Sequence, residues 1–164
     1  MNILRNDVLR LPGEKPRIVR VLWINPHIGP SFVMDLEDPI AMPEPIDLKE
    51  LSELLSQGEV KILPDSWSTL VANDEIIPEK HRVCRDECWN VISALVSAEP
   101  AIFSSNSRGA LVRAKMADTG KTKKSIYGYL RRYWVRGQTP NALLPDYANS
   151  GAKGKSRVWG VAHW

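Results

Sequence analysis

Thr122, Lys123, Lys124, Ser125, Tyr127, Gly128, Arg131, Arg132 and Arg136 crowd into one stretch, "TKKSIYGYLRRYWVR". These residue types suit one kind of chemistry. Lysines neutralise phosphates, hydroxyls donate to phosphate oxygens or base edges, and an arginine fork reads guanine in the major groove. Lys153, Lys155 and Arg157 repeat the basic theme in "GAKGKSR", a Gly-rich arm of the kind that can follow a minor groove. The same arm also fits a solvated linker.

Charge is distributed to match. Residues 1–104 hold 10 Lys/Arg against 17 Asp/Glu, a net of −7. Residues 105–164 hold 12 against 2, a net of +10, so the overall +3 conceals two opposed halves. A one-sided basic block is the footprint of a polyanion partner, although a merely solvated basic face has the same composition.

Local elements must position these side chains. Thr122 is an N-cap residue for a helix running to about Arg136, with Ile126, Leu130, Tyr133 and Trp134 as its inward stripe and Gly137 as its stop. Its outward positions are Lys123, Lys124, Ser125, Tyr127, Gly128 and Arg131. Gly128 costs about 1 kcal/mol of helix propensity, a sacrifice that suits close approach of another backbone. Upstream, "SSNS" (104–107) offers caps for a helix with Leu111, Val112 and Met116 inward, broken by Gly120. Pro78 opens an earlier helix with Val83, Cys84, Cys88, Val91, Ile92, Leu95 and Val96 at helical spacing, ended by Pro100. A helix, a Gly turn and a basic helix form the helix-turn-helix pattern, whose second helix enters the major groove. One position departs from it: Lys121 stands in the turn, where such motifs often carry an apolar residue. Plain bundles share the same outline.

The first 65 residues change period. "DVLRL" (7–11), "RIVRVLWI" (17–24) and "SFVMDL" (31–36) read as strands, the second with the composition of a half-buried one. "PEPIDLKELSELLSQG" then brings Leu48, Leu51, Leu54 and Leu55 onto one helix face, with Asp47 as N-cap and Gly58 as stop. "EVKIL" (59–63) returns to strand. Trp23 fits either the core or a partner surface. The expected fold is α+β: a small N-terminal β-barrel (SH3-like) domain at 1–70, a three-helix helix-turn-helix domain at 71–137, and a basic arm at 138–164. Leu143, Leu144 and Tyr147 are expected to fold back onto the bundle and fix the arm's exit.

Other chemistry has little support. Cys84 and Cys88 stand one helical turn apart, and His81 alone does not complete a zinc site, so reduced core cysteines are expected and no metal or cofactor for this chain. No apolar run approaches the roughly 18 residues of a membrane span, and a cytoplasmic protein follows as the default.

Beyond pattern, "YLRRYWVRGQTPNALLPDYANSGAKGK" (129–155) resembles the segment after the first helix-turn-helix in TnsB-type transposases of heteromeric cut-and-paste transposons, and "TKKSIY" (122–127) resembles the start of that family's recognition helix. The resemblance implies binding of double-stranded DNA at transposon-end repeats. It also implies a downstream RNase H-like domain with a DDE acidic triad and magnesium, and other transposition subunits, an endonuclease and an ATPase regulator, as partners. Neither that strand pattern nor a spaced triad is visible here, so this chain is expected to bind without catalysing. A stand-alone helix-turn-helix transcriptional regulator and an interaction module docking a basic partner remain alternatives.

Overall fold

The computed structural model describes residues 2–67 and 74–145. An antiparallel sheet of five strands comes first: β1 (Val8–Leu11), β2 (Arg17–Trp23), β3 (Ser31–Asp35), β4 (Glu44–Ile46) and β5 (Lys61–Leu63), in the order β4-β3-β2-β1-β5. Helix α1 (Leu48–Ser56) lies between β4 and β5 in the chain, and Asp47 caps it by accepting from the amides of Lys49 and Glu50. The expected barrel is an open sheet here: β4 and β5 stand at opposite edges and do not pair with each other. Strand β4 was absent from the expectation because Pro45 sits at its centre. An edge strand tolerates a residue that cannot donate to the ladder.

The sheet is covered on both faces. Leu9, Val19, Val21, Val33, Leu51 and Val60 form one core beneath α1, while Leu22, Phe32 and Met34 face the other way into the helices. Strand β2 therefore differs from the half-buried strand expected of it. Val19, Arg20, Val21 and Leu22 are all fully buried, because a second layer closes the face that alternation would assign to water.

That second layer is α2 (Glu79–Ser97), α3 (Ser105–Thr119) and α4 (Lys123–Val135), with 3-10 turns at Ala101–Phe103 and Pro140–Leu143. Gly120 ends α3 with φ +75°, a left-handed cap that glycine adopts without penalty. Each of the three helices contacts the other two, and the Pro140–Leu143 turn packs on α2 and α4. Leu143 and Leu144 are buried there, folded back as expected; Tyr147 lies outside the described residues. Trp23 bridges the layers, its ring 6.4 Å from Phe32 and 6.3 Å from Phe103. Helix α2 corrects the expectation of core cysteines: Cys84 is exposed and Cys88 half-buried, and Val83 is also exposed. Val91, Ile92, Leu95 and Val96 are buried as expected, but in the first half of the helix His81 and Arg85 take the inward positions, Arg85 turning in to donate to Asn141 at 2.8 Å.

Sheet and bundle also meet through polar groups. Arg20 donates twice to the Asp65 carboxylate, at 2.8 and 2.9 Å. Those hydrogen bonds hold the Asp65 carboxyl below its ordinary value of 3.8, against the upward push of burial and helped by the Trp67 amide. A carboxylate depressed in the folded state contributes stability above its unfolded pKa and loses it as pH falls through the folded value. Melting temperature is therefore expected to drop as pH falls below about 4, and Asp65→Asn to flatten part of that drop. Thermal melts across the acid range check both; an unchanged acid limb in the variant would remove Asp65 from the account.

Candidate nucleic-acid interface

Helix α4 starts cleanly. The Thr122 hydroxyl accepts from the Ser125 amide at 3.1 Å and lies 3.0 Å from the Ser125 hydroxyl, so both expected contact residues are also the helix cap. The turn before it keeps Lys121 exposed, its amide donating to the Thr119 hydroxyl at 3.2 Å. Solvent thus surrounds the lysine that departs from the usual apolar turn position.

Ile126, Leu130, Tyr133 and Trp134 are all buried, the inward stripe expected of them. That fixes the opposite face. Lys124, Gly128 and Arg131 follow at intervals of four and three, so they share one row along the outside of the helix. Lys123 and Lys124 are exposed, and among the described residues no carboxylate pairs with Lys121, Lys123 or Lys124. A Cβ built on Gly128 would meet nothing within 4 Å. Among the described residues nothing gives a steric reason for glycine there.

The remaining residues are more committed. Tyr127 is half-buried against the bundle core, with the Lys123 ammonium 5.9 Å from its ring centre. It also lies beside Arg108, a buried arginine of α3 that donates to the carbonyls of Ile102 and Phe103. Burial pushes the Arg108 guanidinium below its ordinary value, with the charge and hydrogen bond of Tyr127 opposing that push. Sequence reasoning missed Arg108, since nothing in "SNSRGAL" separates a buried arginine from a solvated one. Arg131 is half-buried, and its Nε lies against the protein with no hydrogen-bond partner among the described residues. Arg132 lies toward α2 near Cys88 and Tyr129: burial raises both of those groups above their ordinary pKa values, and the arginine's charge works against the rise. Arg136 is held inside the fold, donating to the Leu144 carbonyl at 3.2 Å and stacking 4.7 Å from the Trp67 ring. Lys153, Lys155 and Arg157 lie outside the described residues.

Two family models match the chain in tandem. Residues 2–65 match the TnsB N-terminal SH3-like domain, and residues 85–147 match the TnsB second domain. The chain belongs to the TnsB family. It is also 35% identical, over 107 residues, to the Transposon Tn7 transposition protein TnsB of Escherichia coli. That alignment covers 65% of this chain and 15% of the relative's length. The SH3-like match falls on the sheet and α1, and the second-domain match on the helices that carry the basic row. TnsB membership implies transposon-related DNA binding for these domains. Among the described residues, no helix is long and apolar enough to cross a membrane.

Proposed function

We propose that this TnsB-type chain binds double-stranded DNA sequence-specifically at the end repeats of a transposon. In this reading α2, α3 and α4 form a helix-turn-helix unit, and α4 lies in the major groove with Lys124, Gly128 and Arg131 toward the bases. The observation that carries it is the outer row of α4. Among the described residues, lysines without a carboxylate partner precede a helical glycine whose Cβ position is open, and Arg131 follows it, which is the arrangement a closely approaching polyanion needs. Residues 153–157 extend the contact along the backbone. Breaking and joining of DNA, and the magnesium they need, belong to an RNase H-like domain of the parent protein. The endonuclease and ATPase subunits of the same transposon are its further partners.

Gly128→Ala separates this reading from ordinary helix design, because its two expected effects have opposite signs. Open space at the Cβ and a helical backbone make alanine stabilising by up to about 1 kcal/mol. The added methyl group, standing where the duplex approaches, should weaken end-site binding. Arg131→Ala, in competition between end-site and scrambled duplexes at fixed salt, should lose about 1–3 kcal/mol of discrimination. A Gly128→Ala protein that melts higher and binds end-site DNA as tightly as before would place the duplex elsewhere.

A further inference from the structure

We propose that Arg20, on the sheet, is a positioning residue for DNA reading: it fastens the SH3-like domain to the last turn of α4, so that both domains meet the duplex as one body. The inference rests on α4 being the reading helix.

Arg20 has no exposed surface. Its guanidinium donates to the Asp65 carboxylate twice, to the Asn6 carbonyl at 2.9 Å, and to the Val135 carbonyl from Nε at 3.2 Å and from Nη2 at 2.9 Å. Val135 is the last residue of α4. A helix leaves its final carbonyls without intrahelical donors. Here the Arg136 amide serves Arg132, the Gln138 amide serves Tyr133, and Arg20 serves Val135 from another domain. A cation at this end of a helix also meets the negative end of its dipole. The carboxylate of Asp65, itself part of the SH3-like domain, balances the buried charge.

The surrounding backbone points the same way. Among the described residues only two non-glycine residues have positive φ, Asn6 at +74° and Gln138 at +59°. They face each other across this joint. Gln138 Nε2 donates to Asn6 Oδ1 at 2.7 Å and to the Leu22 carbonyl at 3.1 Å, while Asn6 Nδ2 donates to the Gly137 carbonyl at 3.0 Å. Left-handed non-glycine residues persist where their surroundings over-determine them, and such strain gathers at functional positions. The apolar contacts of Trp23, Phe32, Phe103 and Trp134 already join the layers. Apolar packing alone allows small slips, whereas a buried guanidinium held by Asp65 in its own domain and bonded through two nitrogens to the Val135 carbonyl of the other admits one arrangement. Arg131 lies about one turn from Val135, so a frayed last turn would release the arginine that reads the bases.

Two variants test this in the full chain. Arg20→Lys keeps the charge but cannot make paired bonds to both Asp65 and Val135. Gln138→Gly removes the side-chain bonds to Asn6 and Leu22 while easing the left-handed backbone, so it folds even if the lysine variant does not. Amide hydrogen exchange and competition between end-site and scrambled duplexes are read together. In both variants, exchange at the Arg136 and Gln138 amides should accelerate relative to Ile126 and Leu130. The ratio of end-site to scrambled binding should fall about twofold to thirtyfold, the usual reach of mutations that couple distant parts. A residue that supports only global stability would shift all four amides together and leave the ratio unchanged, because loss of folded protein scales both affinities equally; that result overturns the inference while the DNA reading stands. A wild-type chain with no preference for the end site overturns both.

Discussion

Trp134→Ala is expected to destabilise the protein by about 3–5 kcal/mol, the usual loss when a fully buried tryptophan is truncated. For a chain of this size that corresponds to a fall in melting temperature of roughly 10–15 °C. Trp134 is 1% exposed, and its ring lies 6.0 Å from that of Phe103. Phe103 in turn stacks on Phe32 of the sheet at 5.5 Å. The cavity therefore opens between the two layers rather than inside one of them. Sheet and helices should melt in a single transition at the lower temperature, followed by far-UV circular dichroism for the helices and by methyl resonances of Val19 and Val33 for the sheet. If the sheet signals keep their original midpoint while the helices melt early, the shared core does not make the two domains one cooperative unit.

The elements whose boundaries are encoded locally were readable from sequence. Asp47 and Thr122 cap helices within three residues of themselves, and Gly120 needs no partner to take a left-handed φ. The inward stripe of α4 follows a simple period, and the second-domain match covers residues 122–147 of the stretch whose resemblance pointed to TnsB. What stayed hidden depends on residues far apart in the chain. Arg20 and Arg85 carry the residue type of solvated positions, yet each is buried because distant groups accept its hydrogen bonds, Asp65 and Val135 for the first and Asn141 for the second; Arg108 bonds only the nearby carbonyls of Ile102 and Phe103 and is buried by the bundle packed over it. Alternation along β2 assigns Arg20 to water unless the helical layer over that face is already known. Among the expected contact residues, periodicity placed Lys124, Gly128 and Arg131 on one face, but it could not separate them from Arg136, whose charge is spent on Leu144 and Trp67.

Affinity for end-site DNA is expected to fall about 150-fold between 50 and 200 mM salt if four phosphates are neutralised, since each contributes about 0.9 to the log–log slope. Four is a modest count for this surface. Lys121, Lys123 and Lys124 surround the start of α4, Arg131 follows on its outer row, and Lys153, Lys155 and Arg157 add to the same basic half of the chain. The acidic half works in the opposite sense: its net charge of −7 repels the duplex at low salt, and screening weakens that repulsion over a distance of about 10 Å at 0.1 M. The observed slope should therefore be shallower than the contact count alone requires, and it should steepen when acidic residues far from α4, such as Glu50 and Glu53, are neutralised. Lys153→Ala combined with Lys155→Ala should reduce the slope by about 1.8 and weaken end-site and scrambled duplexes alike, because phosphate contacts carry no sequence information. Lys124→Ala should reduce it by about 0.9 and, with Lys124 on the same row as Arg131, also narrow the gap between the two duplexes. Fluorescence anisotropy titrations of both duplexes at five salt concentrations provide every slope. A slope near zero in the wild-type chain would leave the basic half without a polyanion partner. A double variant that lost discrimination but kept its slope would instead make residues 153–157 the reader and α4 the anchor.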